Sequence, residues 1–273
     1  MKKNKKILLV YNPRKPNVDK TIKTMYKNLC NFYNVKICSS EKINSKSCVA
    51  DIILTLGGDG TILKVGQYAV EKSIAVLGVN LGGLGYLAEF QADDSVYSVI
   101  KNYFSNDIEP QKRLVLEIFW KNKKFYALND VIVKPLSAKV CNVELFINNQ
   151  KITQIIGDGV IVATATGSTA YSLACGGSIV EPEADVLLIT PISPHTLSMR
   201  PIIISSDKEV KMFIPEYKSN KNIILSLDGQ RNFYVKHFDE IKIKKSEKRF
   251  LFIPNKDKNF YEILKEKLFW GKR

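Results

Sequence analysis

The sequence predicts two architectures in one chain: an amino-terminal α/β domain built on a parallel sheet, and a β-rich domain of antiparallel, sandwich-like character. Three observations carry this expectation. Strand and helix signals alternate over residues 1–105, as they do when helices cover the faces of a parallel sheet. From Leu114 the texture changes to short apolar runs separated by polar turns. The last stretch returns to helical spacing and is expected to pack back onto the first domain.

Residues 7–10 form a short apolar strand ending at Asn12-Pro13. Apolar residues then recur at Val18, Ile22, Met25, Leu29 and Phe32, a helical spacing. Residues 35–38 read as a second strand. Residues 51–56 form a strand of buried type that runs straight into Gly57-Gly58-Asp59-Gly60. Residues 61–70 read as a helix and residues 74–79 as the next strand, giving a Rossmann-like order. In the β-rich part the strand-like runs are 114–120, 125–133, 143–147, 160–163, 202–204, 210–214, 223–227 and 241–243. Residues 260–270 are helical, with Tyr261, Leu264, Leu268 and Phe269 able to share a face. The expected domains are residues 1–105, completed by the helix within 255–273, and residues 106–254.

A chain of 273 residues is long enough for a substantial hydrophobic core, and 45% hydrophobic with 25% charged residues argues against disorder. The net charge of +14 comes from 35 Lys and only 6 Arg against 27 acidic residues. Sites that clamp phosphate or nucleic acid favour the planar fork of Arg, so this excess permits polyanion binding without requiring it. Residues 125–205 carry Lys134, Lys139, Lys151 and Arg200 against Asp130, Glu144, Asp158, Glu181, Glu183 and Asp185, a net −2. A nucleic-acid groove would concentrate the opposite sign there, and no nucleic-acid partner is expected. Cys30, Cys38, Cys48, Cys141 and Cys175 are dispersed, without a CxxC pair, which points to a reducing compartment. No apolar run approaches the ~18 residues of a membrane span. A cytoplasmic protein is expected.

Glycine marks the functional segments. Of 15 glycines, eight lie between Gly57 and Gly85 and five between Gly157 and Gly177. Such clusters mark tight turns or places where backbone approaches a ligand. Ligands of open α/β sheets bind outside the carboxyl ends of the strands, where the Gly57-Gly58-Asp59-Gly60 turn must lie. The helix that follows offers N–H groups and a positive dipole end to an anion. Asp59 is a carboxylate at a phosphate-type position. It suits metal binding or accepting a proton from an attacking hydroxyl, and equally a helix N-cap. No Gly-Lys-Ser/Thr follows, so the turn is not a Walker A motif. The second cluster, Asp158-Gly159 onward through Thr164 to Tyr171, supplies small donors and little bulk, with Tyr171 able to stack on a base or ribose. Read alone, it is also compatible with a Ser/Thr-rich turn. His195 is read first as a loop brace, Arg200 as a structural salt bridge or carbonyl clamp between domains, and Cys175 as a small buried thiol.

Six segments in order resemble the NAD kinase family, which phosphorylates the adenosine ribose 2′-hydroxyl of NAD. They are Gly57-Gly58-Asp59-Gly60-Thr61, the run from Asn80 through Gly82, Gly83, Leu84 and Gly85 to Leu87, Ala127-Leu128-Asn129-Asp130-Val131, Asp158-Gly159 to Tyr171, Pro194-His195 to Arg200-Pro201, and Asp228-Gly229-Gln230. The first is shared with lipid kinases and phosphofructokinases; the order of all six is specific. The resemblance implies a nucleotide-binding first domain and an NAD-binding β-rich domain. It makes Asp59 the general base or metal-organising acid, with Gly57, Gly58, Gly60, Thr61 and Asn80 binding the nucleotide and Lys64 near phosphate. Asn129 and Asp130 are to hold ribose hydroxyls or adenine. Asp158, Thr166, Ser168, Thr169, Ala170, Tyr171, Ser172 and Gln230 are to line the dinucleotide site.

It implies ATP as donor, NAD as acceptor, Mg2+ or another divalent cation, and a homodimer or homotetramer. No metal ligand is assigned from the sequence. Two positions depart from the family pattern: Ile156, where many members carry a basic residue, and Ala165, where Pro is common. Ile156 removes one expected charged contact to the cofactor. The competing readings are a lipid or sugar kinase sharing the first turn, and a non-catalytic nucleotide- or polyanion-binding protein.

Overall fold

The computed structural model describes residues 4–16, 18–43, 49–82, 85–93, 95–218, 220 and 222–271. Lys2 and Lys3, Cys48, and Gly83 and Leu84 of the second motif lie outside the described residues. The chain divides into two compact units: residues 1–112 with 250–273, and residues 113–249.

In the first unit, β1 (Lys6–Tyr11), α1 (Val18–Cys30), β2 (Asn34–Ser39), β3 (Ile52–Gly57), α2 (Asp59–Lys72), β4 (Ala75–Asn80), β5 (Phe90–Gln91), α3 (Ser95–Phe104) and β6 (Gln111–Arg113) follow in order. β1 pairs in parallel with β2 and β3, and β3 with β4. Every residue of β3 and β4 is buried, so both strands read as continuous apolar runs, as a sheet covered on both faces requires. α1 buries Val18, Ile22, Met25 and Leu29, the i, i+4, i+7 stripe that the sequence shows. Phe32, expected to extend that stripe, lies beyond the helix end and is 73% exposed.

In the second unit, the strands are β7 (Leu116–Trp120), β8 (Lys123–Ala127), β9 (Asp130–Pro135), β10 (Cys141–Ile147), β11 (Gln150–Gly157), β12 (Gly159–Thr164), β13 (Val186–Ile192), β14 (Ile202–Ser205), β15 (Val210–Phe213), β16 (Ile223–Leu227), β17 (Arg231–Val235) and β18 (Glu240–Lys245). A 3₁₀ turn over Thr166–Thr169 and the short helix α4 (Tyr171–Ala174) follow β12. One antiparallel sheet has the order β11-β10-β15-β18-β7-β8 and the other β14-β13-β12-β9-β16-β17. Their facing side chains, including Leu116, Ile118, Val131, Val133, Val143, Val162, Met212, Leu225 and Ile241, form one core.

The expected strand 125–133 is in fact two. Leu128 and Asn129 break it, so that β8 and β9 join different sheets.

The chain then returns to the first unit through β19 (Phe250–Phe252), parallel to β4, and α5 (Phe260–Leu268). α5 starts at a capping box in which Asn259 accepts from the Glu262 N–H and Glu262 from that of Asn259. Its buried residues are Ile263 and Leu264. Of the face expected from the sequence only Leu264 is buried; Tyr261, Leu268 and Phe269 are exposed. The helix is rotated so that Ile263 rather than Tyr261 packs inward.

Candidate active site

The first unit carries its candidate residues at the carboxyl ends of β3 and β4. Gly57 pairs with Asn80 in register, which sets the Gly57-Gly58-Asp59-Gly60-Thr61 turn beside the segment leaving β4. A Cβ on Gly57 would collide with the Thr61 hydroxyl. The backbone can therefore turn this closely into α2 only without a side chain. Gly58, not Asp59, occupies the cap position of α2, in extended conformation and without a side-chain cap bond. Asp59 is the first helical residue.

Its carboxylate reaches across to the second glycine segment. Oδ1 accepts the N–H groups of Leu87 and Ala88, both at 2.9 Å, and Oδ2 accepts that of Tyr86 at 2.8 Å. Gly85 is held to glycine by the same arrangement, because its Cβ would strike the Asp59 carboxylate. Asn80 is buried; its Oδ1 accepts the Gly82 N–H at 2.9 Å. Thr61 Oγ1 and the Tyr86 hydroxyl are buried without a hydrogen-bond partner. Burial and the nearby Asp59 charge both raise the Tyr86 pKa. Lys64 is half-buried on α2, five residues from Asp59 and so about 140° round the helix axis. The cation beside Asp59 is instead Lys267 of α5, with Nζ 4.0 Å from Oδ2.

In the second unit another carboxylate plays a parallel part. Asp228 and Gly229 are both left-handed (φ 52° and 64°) in the β16–β17 turn, closed by the Gln230 N–H to the Leu227 carbonyl at 2.9 Å. Two consecutive positive φ values are what an Asp-Gly turn accommodates. Asp228 accepts the N–H groups of Leu128 at 2.9 Å, Asn129 at 2.7 Å and Asp130 at 3.1 Å, fixing the backbone at the start of β9. Thr164 braces the same segment: its Oγ1 donates to the Leu128 carbonyl at 2.6 Å and accepts the Gly167 N–H at 3.0 Å. Gly167 packs so closely that a Cβ would overlap the Asn129 backbone.

Asp130 is buried, and its pKa is pushed up to about 7, first by burial and then by the Asp228 charge. Burial raises that of Asp228 to about 6, against the pull of its three N–H bonds and of Arg231. Near neutral pH, Asp130 therefore can either donate or accept a hydrogen bond. Asn129 Oδ1 and Thr166 Oγ1 are buried without a partner. Buried orphans of this kind call for an explanation, and ligand atoms would provide one.

Tyr171 is partly exposed, with Lys134 Nζ 5.7 Å from its ring centroid; burial, Cys175, Asp158 and Asp130 all raise its pKa. Asp158 is exposed between β11 and β12, and Gln230 is exposed at its turn. The hydroxyls of Ser168 and Ser172 are engaged inside the protein, by the Val180 backbone and by Thr190. Both residues are buried, which leaves their part structural. Thr169 Oγ1 bonds within its own turn to the Thr166 carbonyl at 3.4 Å, and the Ala170 N–H bonds to the Gly167 carbonyl at 2.9 Å.

His195 is exposed and braces its loop through its N–H to the Ile156 carbonyl at 2.9 Å. Arg200 clamps the carbonyls of Leu197 and Met199. Cys175 is half-buried against the small apolar cluster of Ile132, Ile161, Ala163, Leu188 and Ile192. The sequence reading did not assign Asp228, Thr164 or Lys267 to the site. Two features mark Asp228 in the sequence, the Asp-Gly pair of a hairpin turn and its place in the Asp228-Gly229-Gln230 segment. Among the described residues no group of three or more His, Cys, Asp or Glu side chains could hold a metal ion.

The profile of the ATP-NAD kinase N-terminal domain matches residues 44–108, and that of the ATP-NAD kinase C-terminal domain matches residues 128–255. An NAD kinase of Carboxydothermus hydrogenoformans is 40% identical over 232 residues, spanning 83% of this chain and 82% of that protein. One from Fusobacterium nucleatum is 33% identical over 268 residues, 97% of this chain and 98% of that protein. The structure of an Archaeoglobus fulgidus NAD kinase in complex with ATP superposes with a TM-score of 0.78 at 25% identity, covering 94% of this chain and 98% of that one. The yeast NADH kinase complexed with NADH shares the fold, with a TM-score of 0.86 at 24% identity over 98% of this chain and 89% of that one. With both domain profiles matched in order and close relatives spanning nearly their full length, the chain belongs to the ATP-NAD kinase family.

Proposed function

We propose that the protein transfers the γ-phosphoryl group of ATP to the adenosine ribose 2′-hydroxyl of NAD, forming NADP and ADP. The observation that carries this reading is the Asp59 carboxylate. Oδ1 is saturated by two N–H bonds, whereas Oδ2 accepts one and keeps a lone pair. In this mechanism Oδ2 accepts the 2′-hydroxyl proton while the oxygen attacks the γ-phosphorus in line and ADP leaves. Little covalent work falls to the protein, so positioning and charge supply most of the rate.

The second unit supplies groups suited to the dinucleotide. Asn129 Oδ1 and Thr166 Oγ1 offer unsatisfied polar atoms, Asp130 a carboxyl that can donate or accept, and Tyr171 an aromatic face with a cation beside it. Gly57, Gly58, Gly60 and Thr61 shape the turn in which the phosphates are to lie, with Lys64 contributing charge. Within the second unit, Asp158, Thr169, Ala170 and Gln230 are assigned to the dinucleotide as well.

A divalent cation, Mg2+ in the simplest case, fits this residue set if it enters on the nucleotide phosphates, since Mg2+ is commonly held by one or two carboxylates together with substrate phosphates. Bound there, it would neutralise the phosphate charge that otherwise repels the attacking oxygen.

A cytoplasmic location is supported by the described cysteines, none of which forms a disulfide. Among the described residues no helix is long and apolar enough to cross a membrane. A homodimer or homotetramer is supported by β14, an edge strand with Ile202 and Ile203 at 40% and 49% exposure. An uncovered apolar edge is an invitation to pair. Light scattering of the purified chain reads the oligomeric state directly.

Incubation with NAD, Mg2+ and ATP, followed by quantification of NADP, tests the reaction. Phosphorylation of diacylglycerol or fructose 6-phosphate in place of NAD would overturn it.

A further inference from the structure

α5 brings a cation to the carboxylate that the reaction needs. Its capping box fixes where the helix begins, and Ile263 and Leu264 fix which face is buried. Lys267 follows them by four and three residues, so helical geometry puts it on that same inward face. Its side chain is 27% exposed, while the neighbouring Lys265 and Glu266 lie open to solvent.

The Lys267 ammonium stands 4.5 Å from the centroid of the Tyr86 ring and 4.0 Å from Asp59 Oδ2. Tyr86 in turn donates its N–H to that same oxygen at 2.8 Å. Two groups from two other segments of the first unit, the Lys267 ammonium and the Tyr86 N–H, therefore converge on one oxygen of Asp59. That atom is the carboxylate oxygen with a lone pair unused; Oδ1 already accepts from Leu87 and Ala88. A separation of 4.0 Å is too long for a direct hydrogen bond, yet close enough for strong attraction. A hydroxyl or a water can lie between the two. An ordinary surface ion pair has neither an aromatic seat nor a partner pinned by three backbone N–H groups, and it contributes little.

We infer that Lys267 is a positioning residue for phosphoryl transfer: seated on the Tyr86 ring, its ammonium holds Asp59 Oδ2 in the orientation that receives the acceptor hydroxyl. The inference rests on Asp59 being the base. It also gives the carboxy-terminal helix a part in turnover, since the helix is what delivers the cation.

The test is a double-mutant cycle on the full chain, following NADP formation in the wild type, K267M, D59N and the double variant. K267R serves as the conservative control, because Arg keeps the charge and can rest on an aromatic ring. Thermal melting confirms that each variant is folded. K267M is expected to lower kcat about ten-fold, with KM for NAD and for ATP changed by less than about two-fold. K267R is expected to recover most of the loss. In the D59N background K267M should add less than about two-fold, because residues acting through one group are not additive.

If K267M turns over at the wild-type rate while D59N falls about 100-fold, the inference fails and the Asp59 assignment stands. A full ten-fold loss that persists in D59N shows that Lys267 acts independently of Asp59, which also overturns it. D59N with wild-type turnover removes the base itself, and the inference with it.

Discussion

Replacing Asp228 tests how the second unit holds the backbone that leads into β9. The carboxylate accepts three N–H groups from consecutive residues, Leu128, Asn129 and Asp130, at 2.7–3.1 Å. In D228A all three lose their acceptor at once. A hydrogen bond to a charged group is worth roughly 1.5–3 kcal/mol, but the three share one acceptor and do not add fully. A loss of about 3–5 kcal/mol is therefore expected. Relief of the repulsion with Asp130 returns part of it.

D228N is the informative companion. Its amide oxygen can replace Oδ1 for Asn129 and Asp130, but its NH2 then faces the Leu128 N–H, donor against donor. One bond and the charge are lost, for about 1–2 kcal/mol. For a unit of this size each kcal/mol lowers Tm by roughly 2–5 °C, so D228A should melt about 10–20 °C below the wild type and D228N only a few degrees below. Calorimetry reads the transition, and titration with NAD reads the site, where binding should weaken in the same order. D228A melting within about 2 °C of the wild type, with unchanged NAD affinity, would refute the reasoning.

Three further outcomes follow from the same geometry. The folded-state pKa of Asp130 is raised to about 7, so below that value the folded protein binds more protons than the unfolded chain. Stability contributed by the protonated group is present at low pH and is lost as pH rises from the ordinary carboxylate range toward 7. The slope is at most about 1.4 kcal/mol per pH unit, and urea titrations from pH 5 to 8 should show it flattened in D130N. G85A forces a Cβ against the Asp59 carboxylate and should depress kcat at least ten-fold while the melting temperature of the β-rich unit stays unchanged, as activity and calorimetry together would show. G167A drives a Cβ into the Asn129 backbone and should destabilise by roughly 2–4 kcal/mol in urea unfolding, with weakened NAD binding.

The first unit was largely legible because its buried strands and amphipathic α1 obey simple periods. The Gly57 to Thr61 turn stood out because close backbone approach leaves only glycine possible. The β-rich unit hid more. β11 and β17 lie at sheet edges, where at least half of the residues in each are exposed, so neither reads as a buried strand. β13 contains Pro191, which ordinarily argues against a strand interior. Here Pro191 pairs with Val160 on one side, while β14 on the other pairs only with Val186–Ile189, so its missing N–H faces no partner strand.

Asp59 looked equally like a helix cap until the structure gave that place to Gly58. The Asp228 clamp joins residues about a hundred positions apart, and the Lys267 contact joins residues even further apart. The Asp-Gly pair marks the turn at Asp228 but not its distant partners, and nothing local marks Lys267. Both depend on how the chain returns to itself.

The central claim is that the Asp59 carboxylate accepts the proton of the attacking hydroxyl. The most direct measurement is the turnover of D59N in NADP formation from NAD, ATP and Mg2+, alongside its NAD affinity and melting temperature. The substitution keeps an acceptor for Leu87 and Ala88 and sets an NH2 against the Tyr86 N–H, so the fold should lose only about 1–2 kcal/mol. The account predicts kcat lowered by about 10² or more with NAD binding retained, whereas turnover near that of the wild type would contradict it.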